Sequence, residues 1–252
     1  MHRARPLPGL SELMAEVSLT LAACTRPAEG APLGGDLYDV VRAPAGPRLI
    51  LGDVKGHGPA AAPLAEAVRA AFRQAAATEE DPARLARVLD ARLAPALGPE
   101  DFVSLLVVDL RPDEIHVVNC GHPPPLRIGR RITPLALPHA SPPLGLHPDP
   151  CVRRVQLRPD QRLLLHTDGL TEARDAEGAC FPLDRRALAA LTAPTLDEAI
   201  DRLLGLLHRH TGHSIPADDL TVLLLQQRGV AAADRVGGGL GGQSRELPNR
   251  RR

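Results

Sequence analysis

Residues 49–58 read LILGDVKGHG, which predicts a strand, a tight turn and the start of a helix. It begins with an aliphatic run typical of a buried strand, places Asp53 at the end of that run, and continues into a glycine-rich turn. An alanine-rich helix is predicted next, over residues 59–77. Gly56 and Gly58 allow a tight turn, and the N-terminus of the helix favours bound anions. Taken alone, the pattern also fits an ordinary strand–turn–helix connection. It is not a nucleotide P-loop, because no Gly-Lys-Ser/Thr sequence ends it.

Further strands and helices are predicted on both sides of this stretch. Strands are predicted over residues 16–25, 37–41, 48–51, 102–110, 114–120, 126–128, 132–137, 152–157, 162–167 and 220–226, and further helices over 82–93, 184–191 and 196–210. Short turns join several strands as hairpins, and the helices form two separate pairs along the chain. This order is not the alternation of a parallel doubly wound sheet. The sequence therefore predicts an α+β fold of antiparallel sheets with helices on their outer faces.

Length and composition suit a single globular domain with short extensions. The chain has 252 residues, of which 44% are hydrophobic and 24% charged. Its core must be aliphatic, because there are three Phe, one Tyr and no Trp. We expect residues 1–10 to be a lead-in, residues 11–228 to form the domain, and residues 229–252 to be a disordered tail rich in glycine and arginine.

Charge and cysteine content exclude several classes of function. Lys+Arg and Asp+Glu balance at 30 each, whereas a protein that coats nucleic acid needs a basic excess. The four cysteines are too far apart in sequence for a zinc knuckle or a CxxC redox motif, and a disulfide framework is not expected at this size. The nearly uncharged stretch 132–152 contains too many prolines for a membrane helix. The sequence therefore predicts a cytoplasmic protein with no nucleic-acid or membrane partner.

Aspartates lie at the ends of predicted strands in four places. Asp36 opens one strand, Asp53 and Asp168 each end one, and the pair Asp218 and Asp219 precedes the last. A single aspartate in such a position is usually a turn residue or a helix cap. Four carboxylates gathered at one edge would repel each other unless a cation neutralised them. A ligand set made only of oxygen atoms suits Mg²⁺ or Mn²⁺ rather than zinc.

Five motifs occur in an order that resembles a known family. They are GGDLYD at 34–39, GDVKGHG at 52–58, NCGHPPPL at 119–126, TDGLTEA at 167–173 and DDLT at 218–221. Together they resemble the SpoIIE-type branch of the metal-dependent PPM (protein phosphatase 2C-like) serine/threonine phosphatases, over about residues 13–228. Each motif is weak alone, but their order and spacing are specific. The resemblance implies a four-layer α-β-β-α sandwich of two antiparallel sheets flanked by helices.

The resemblance also implies a site for two Mn²⁺ or Mg²⁺ ions at one edge of the paired sheets. Asp53 would bridge both ions, and the Val54 carbonyl would bind one of them. Asp36 would serve the second ion, directly or through water. The general chemistry agrees, because two ions that share a carboxylate lower the pKa of a water held between them. The resulting hydroxide attacks phosphorus in line, and no covalent enzyme intermediate is needed.

The first ion would be held by Asp168 and by one member of the pair Asp218 and Asp219. Asp218 is preferred because it matches the metal-binding aspartate of the family, although the sequence alone does not separate the two. Asp53 and Asp168 are the expected catalytic residues. The implied metal ligands are therefore Asp36, Asp53, Val54, Asp168, Asp218 and Asp219.

The candidate substrate-binding residues are Lys55, Gly56 and His57. Lys55 stands where some relatives place a histidine proposed as a general acid, and His57 follows two residues later. Which of these groups, if any, protonates the leaving serine oxygen stays open. His122, in the motif at 119–126, is more typical of a structural hydrogen-bonding residue than of a ligand, so we leave it out of the catalytic set.

Relatives of this kind commonly remove phosphate from small antagonists of anti-sigma factors, and so free a sigma factor by partner switching. The resemblance therefore implies a phosphorylated protein substrate, with an activator protein as a further partner. The alternative is a pseudophosphatase that binds the same partners without chemistry. All the acidic residues of the implied site are present, which favours the enzyme.

Overall fold

The fold is built from ten strands and six helices within the residues that the structure describes. In this computed structural model these are residues 10–28, 34–56, 60–136, 139–212 and 218–228. The helices are α1 (Leu10–Glu16), α2 (Ala62–Ala76), α3 (Pro82–Leu93), α4 (Asp168–Thr171), α5 (Arg185–Leu191) and α6 (Leu196–Thr211). The strands are β1 (Leu19–Arg26), β2 (Asp36–Ala43), β3 (Gly46–Val54), β4 (Val103–Leu110), β5 (Ile115–Cys120), β6 (Leu126–Ile128), β7 (Ile132–Pro134), β8 (Arg153–Val155), β9 (Arg162–His166) and β10 (Leu220–Gln227). No helix within these ranges is long and apolar enough to cross a membrane.

The strands form two antiparallel sheets of five strands each. The first sheet has the order β2-β3-β4-β5-β8, and the second has the order β1-β10-β9-β6-β7. Helices α2 and α3 pack on the outer face of the first sheet, and α5 and α6 pack on the outer face of the second. A third apolar cluster, mostly leucine and valine, fills the space between the sheets. The predicted α+β sandwich of four layers is confirmed.

The hairpin of β2 and β3 shows how the sequence sets the layers. Leu49 and Leu51 face the second sheet, whereas Ile50 faces the helices, as the two-residue period of a strand requires. Across the hairpin, Tyr38 lies opposite Leu51 and packs against the cluster between the sheets. By the same period, Asp53 continues the Leu49–Leu51 face to the end of the strand, at the edge of the sandwich.

A buried ion pair joins the α2–α3 connection to the first sheet. Arg48 on β3 is fully buried and pairs with Asp109 on β4, with 2.8 Å between Nη2 and Oδ2. Its guanidinium also donates to the carbonyl oxygens of Glu79 at 2.5 Å and Glu80 at 3.1 Å. A buried charge is tolerated when its hydrogen-bonding groups are matched in this way. Arg48 therefore fixes the turn between the two helices against the sheet.

The structure differs from the sequence predictions mainly at the edges of the sheets. The predicted strand over residues 16–25 begins only at Leu19, because α1 precedes it and Ser18 turns the chain with a φ of 53°. β7 ends at Pro134. The Leu135 amide still donates to the Pro125 carbonyl oxygen at 2.8 Å, but Pro125 has no N–H to complete that pair. β8 is an edge strand that pairs only with β5, so it is shorter than predicted. The predicted lead-in up to residue 9 and the predicted tail lie outside the described residues.

Candidate active site

Two aspartates lie directly opposite each other where the β2–β3 hairpin reaches the edge of the sandwich. Asp36 on β2 is the register partner of Asp53 on β3. Side chains in such a pair lie on the same face, with Cβ atoms about 4.5–5.5 Å apart. Burial, with repulsion from the neighbouring carboxylates, raises the pKa of Asp53 to about 8. Burial likewise raises the pKa of Asp36 to about 7, although hydrogen bonds from Thr221 and Thr167 oppose the change. Ionising both carboxyls would therefore place two negative charges side by side, and no cation among the described side chains compensates them.

One carboxyl oxygen atom of Asp36 accepts a hydrogen bond from the opposite sheet, and the other has no hydrogen-bond partner among the described residues. The Thr167 hydroxyl, at the end of β9, donates to Asp36 Oδ2 at 2.8 Å and in turn accepts from the Thr221 amide at 2.9 Å. Asp36 Oδ1 is buried and has no hydrogen-bond partner among the described residues. A buried unpaired carboxylate oxygen is costly unless a further group binds it.

Three oxygen atoms converge over Gly35. A Cβ atom at this position would lie 2.8 Å from the Val54 carbonyl oxygen, 2.9 Å from the Gly56 carbonyl oxygen and 3.2 Å from Asp53 Oδ1. Only glycine leaves this space open. The cradle contains the two oxygen atoms that the family resemblance assigns to a shared ion, the Val54 carbonyl and an Asp53 carboxylate oxygen. Its chemistry fits a hard cation such as Mg²⁺ or Mn²⁺.

The second sheet brings Asp168 to the same edge. Asp168 is the first residue of α4, directly after β9, and it is half-buried. A Cβ atom at Gly169 would collide with the main-chain oxygen of Asp219, so glycine allows α4 to approach the start of β10 closely. Burial raises the pKa of Asp168, and the charges of Asp218 and Glu172 raise it further. Asp168 and Asp218 are therefore neighbours, as the ligand set requires.

Asp218 and Asp219 have different environments, although they are adjacent in sequence. Asp219 is 3% exposed, and its carboxylate accepts hydrogen bonds from the amides of Ala28 at 2.8 Å and Gly35 at 2.6 Å. A Cβ atom at Gly34 would collide with the same carboxylate. Asp218 is exposed, and one of its oxygen atoms accepts from the Asp219 amide at 2.8 Å. Asp219 therefore anchors the main chain before β2, while Asp218 keeps oxygen atoms available for a ligand.

The candidate substrate-binding residues are only partly described. Lys55 donates from Nζ to the Glu100 carbonyl oxygen at 2.8 Å, and it lies over the Phe102 ring at 5.6 Å from the centroid. Its side chain is 42% exposed. Gly56 has a φ of 97°, which favours glycine, and it is exposed. His57 lies outside the described residues.

Sequence reasoning missed two residues that orient this edge, Thr167 and Ser104. Thr167 holds Asp36, as described above. Ser104 on β4 is the register partner of Asp53, and its Oγ lies 2.7 Å from His122 Nδ1. Two signals were available, namely the threonine directly before Asp168 and the histidine in the motif at 119–126. Neither shows from the sequence alone which group it contacts.

As placed, the candidate ligands do not yet surround one point. Among the described residues, no group of three His, Cys, Asp or Glu side chains could hold a metal ion in the present arrangement. The hydrogen bonds explain part of this, because Asp219 faces main-chain amides and Asp36 Oδ2 faces Thr167. Mutual repulsion of the carboxylates acts in the same direction.

Comparison with known families decides the relationship. A sequence profile described as Stage II sporulation protein E (SpoIIE) matches residues 44–228, which is most of the chain. The chain belongs to the SpoIIE family. The matched region includes Asp53, Asp168 and the Asp218–Asp219 pair, and Asp36 lies before it.

Among its relatives is the phosphoserine phosphatase RsbP of Bacillus subtilis, which is 28% identical over 144 residues. That alignment covers 54% of this chain and 35% of RsbP, so the chain matches about a third of the relative's length. The crystal structure of the RsbU and RsbW domains of Rv1364c from Mycobacterium tuberculosis superposes with a TM-score of 0.69 and 27% identity. That superposition covers 83% of this chain and 60% of the other.

A third relative bears on the fold. The catalytic domain of the serine/threonine phosphatase PstP, solved in complex with two manganese ions, superposes with a TM-score of 0.60 and 19% identity. The match covers 82% of this chain and 97% of the PstP domain. The phosphatase fold therefore extends over the sheets and helices that carry the aspartates.

Proposed function

We propose that this SpoIIE-family chain is a phosphoprotein phosphatase that depends on Mn²⁺ or Mg²⁺ and hydrolyses phosphoserine or phosphothreonine. The observation that carries the proposal is the Asp36–Asp53 pair. A buried and a half-buried carboxyl group face each other with raised pKa values, and Asp36 Oδ1 has no partner among the described residues. Divalent cations would neutralise this charge and bind the free oxygen atom.

The proposed ligands divide between the two sheets. From the first sheet, Asp53, the Val54 carbonyl and Asp36 would hold the ions, with Asp53 shared between them. From the second sheet, Asp168 and Asp218 would hold the first ion. Asp219 is not assigned as a ligand, because main-chain amides already bind both of its oxygen atoms. When bound, such a pair of ions supplies a water of lowered pKa and neutralises phosphoryl oxygen atoms.

The chain's own groups orient this centre. Thr167 donates a hydrogen bond to Asp36 Oδ2, which leaves the buried Oδ1 atom free to bind an ion. Gly35 keeps open the space beside Asp53 and Val54. The substrate phosphate approaches from the exposed edge, where Lys55 is the nearby cation of the loop after β3. Binding a phosphate there would require Lys55 to exchange its contact with Glu100 for the substrate.

The relatives support a protein substrate. RsbP carries the name phosphoserine phosphatase, and Rv1364c combines an RsbU and an RsbW domain. Together with the family resemblance, this favours a phosphorylated anti-sigma-factor antagonist as the substrate, and partner switching as the process. PstP, which shares the fold, was solved with two manganese ions, and this supports two ions here.

A metal titration tests the proposal. Turnover of p-nitrophenyl phosphate and of a phosphoserine protein is measured with EDTA, Mg²⁺ or increasing Mn²⁺. Turnover should require added metal and disappear in Asp53→Asn, whereas Asp113→Asn, in an exposed turn, should behave as the wild type. Full turnover in EDTA would contradict metal dependence. Metal binding without turnover on any phosphoprotein would instead favour the pseudophosphatase.

A further inference from the structure

The motif at 119–126 forms a rigid turn at the end of β5, beside the candidate site. The Asn119 side chain closes the turn, since it donates to the His122 carbonyl oxygen and accepts from the His122 amide, both at 2.8 Å. Gly121 has a φ of 68°, and a Cβ atom there would collide with Pro143. The turn therefore fixes the backbone of His122, whose side chain is buried.

The His122 ring hydrogen-bonds to both sheets. Its Nδ1 lies 2.7 Å from Ser104 Oγ on β4, and its Nε2 lies 3.1 Å from the His166 carbonyl oxygen on β9. A carbonyl oxygen only accepts, so Nε2 carries the proton. Nδ1 is then the acceptor for the Ser104 hydroxyl. Ser104, His122 and His166 thus form one chain of hydrogen bonds across the sandwich, here called the His122 bridge.

Each end of the His122 bridge lies next to a candidate ligand. Ser104 is the register partner of Asp53, so both side chains lie on one face of the first sheet. His166 is the last residue of β9, and Thr167 and Asp168 follow it. The bridge therefore joins the strand beside Asp53 to the strand end that precedes Asp168, and it does so without a hydrogen bond from the ring to either aspartate. No other side chain among the described residues makes this connection between β4 and β9 through hydrogen bonds.

We propose that His122 is a positioning residue that sets the separation between the Asp53 and Asp168 ends of the two sheets, and so the affinity of the site for its divalent ions. This inference rests on the metal site of the proposed function. The apolar contacts between the sheets are not directional, whereas hydrogen bonds are. At this edge Thr167 donates to Asp36, Asp219 accepts from the Gly35 amide, and the His122 ring adds two directed bonds that join the ends of β4 and β9. Groups that hydrogen-bond to metal ligands typically change metal affinity about 10- to 100-fold when removed, and the His122 bridge acts on the immediate neighbours of the ligands.

The test compares two buried histidines, one on β5 and one in the turn that follows it. His122→Leu removes the bridge, whereas His116→Leu removes a ring that is equally buried but bonds to Glu114, near the other end of β5. His122→Gln keeps a donor for the His166 carbonyl oxygen, and Ser104→Ala removes one hydroxyl only. Mn²⁺ binding is measured directly, from the paramagnetic resonance signal of free Mn²⁺. The half-saturating Mn²⁺ concentration and kcat are measured with p-nitrophenyl phosphate, and each variant is melted in EDTA.

We expect His122→Leu to weaken Mn²⁺ binding at least about tenfold, with kcat at saturating Mn²⁺ reduced by a smaller factor. His122→Gln should recover part of the Mn²⁺ affinity. The affinity of Ser104→Ala should lie between those of His122→Gln and the wild type, or close to that of the wild type. His116→Leu should lower the melting temperature without changing Mn²⁺ affinity. If His122→Leu proves unstable, Ser104→Ala and His122→Gln still carry the comparison.

The outcomes separate this proposal from the proposed function. Wild-type protein that binds Mn²⁺ but shows no turnover contradicts the phosphatase, while the binding measurements still judge the His122 bridge. If the His122 and Ser104 variants melt earlier yet bind Mn²⁺ as tightly as His116→Leu, His122 is merely structural and the inference is wrong. Wild-type protein that binds no Mn²⁺ overturns both.

Discussion

Replacing Asp53 by asparagine should stabilise the metal-free protein while it abolishes turnover. Burial and the surrounding carboxylates raise the pKa of Asp53 from 3.8 to about 8 in the folded chain. The folded state therefore disfavours the ionised form, and the stability present below pH 4 is lost as the pH rises towards 8. Each pH unit in this window costs about 1.4 kcal/mol, so the cost at pH 7 is at most about 4 kcal/mol. Because Asp53 is partly exposed, we expect about 2–4 kcal/mol.

The amide of Asp53→Asn carries no charge, so the variant escapes this cost. For a chain of this size, a gain of about 2–4 kcal/mol raises the melting temperature by about 5–15 °C. The assay is thermal unfolding in EDTA between pH 4 and 8, with Asp113→Asn as the control. The difference in melting temperature between Asp53→Asn and the wild type should be largest near pH 8 and should vanish near pH 4. Added Mn²⁺ should raise the melting temperature of the wild type but not of Asp53→Asn, because only the wild type gains binding energy.

Two results would refute this reasoning. If Asp53→Asn melts no higher than the wild type in EDTA at pH 7, Asp53 is not a buried carboxylate under repulsion. If the variant melts higher by the same amount at every pH, the gain does not come from its charge. Near-native kcat in Asp53→Asn at saturating Mn²⁺ would show that the two-ion assignment is wrong.

Three further predictions follow from neighbouring contacts. Asp218→Asn should raise the Mn²⁺ concentration needed for half-maximal turnover. Asp219→Asn should mainly lower the melting temperature, because Asp219 accepts hydrogen bonds from the amides of Ala28 and Gly35. A metal titration and a thermal melt of both variants separate the two roles. Gly34→Ala should destabilise the chain in the same melt, since its Cβ atom would collide with the Asp219 carboxylate, and a wild-type melting temperature would contradict this close approach. Arg48→Leu should lower the free energy of unfolding by about 3–5 kcal/mol, measured by urea denaturation, because it leaves the buried Asp109 with only the 3.5 Å contact to Arg111; a loss below about 1 kcal/mol would contradict that account.

The sequence predicts the layers well because each depends on a local period. α3 and β6 have the predicted bounds, since Pro82 starts the helix and a tight turn limits the hairpin. α1 was not predicted, because a helix of seven residues has little periodicity of its own and depends on packing against β1 and β3.

The candidate site was predicted from the positions of the aspartates, but their environments were not. Sequence alone could not distinguish Asp218 from Asp219, because the difference lies in two amides that approach from residues 28 and 35, far away along the chain. For the same reason, the motif around His122 was interpreted as structural without its partners. Ser104 and His166 come from different sheets, and only the folded register brings them to one ring.

The chain contains one tyrosine and no tryptophan, and this gives the β2–β3 hairpin an optical signal of its own. Tyr38 lies two residues along β2 from Asp36 and opposite Leu51 on β3. Tyrosine emission from the protein therefore comes from a single ring, in the strand pair that carries both facing carboxyl groups. A change in that emission on adding a divalent ion therefore reports on this hairpin and not on the whole protein, and no label has to be introduced.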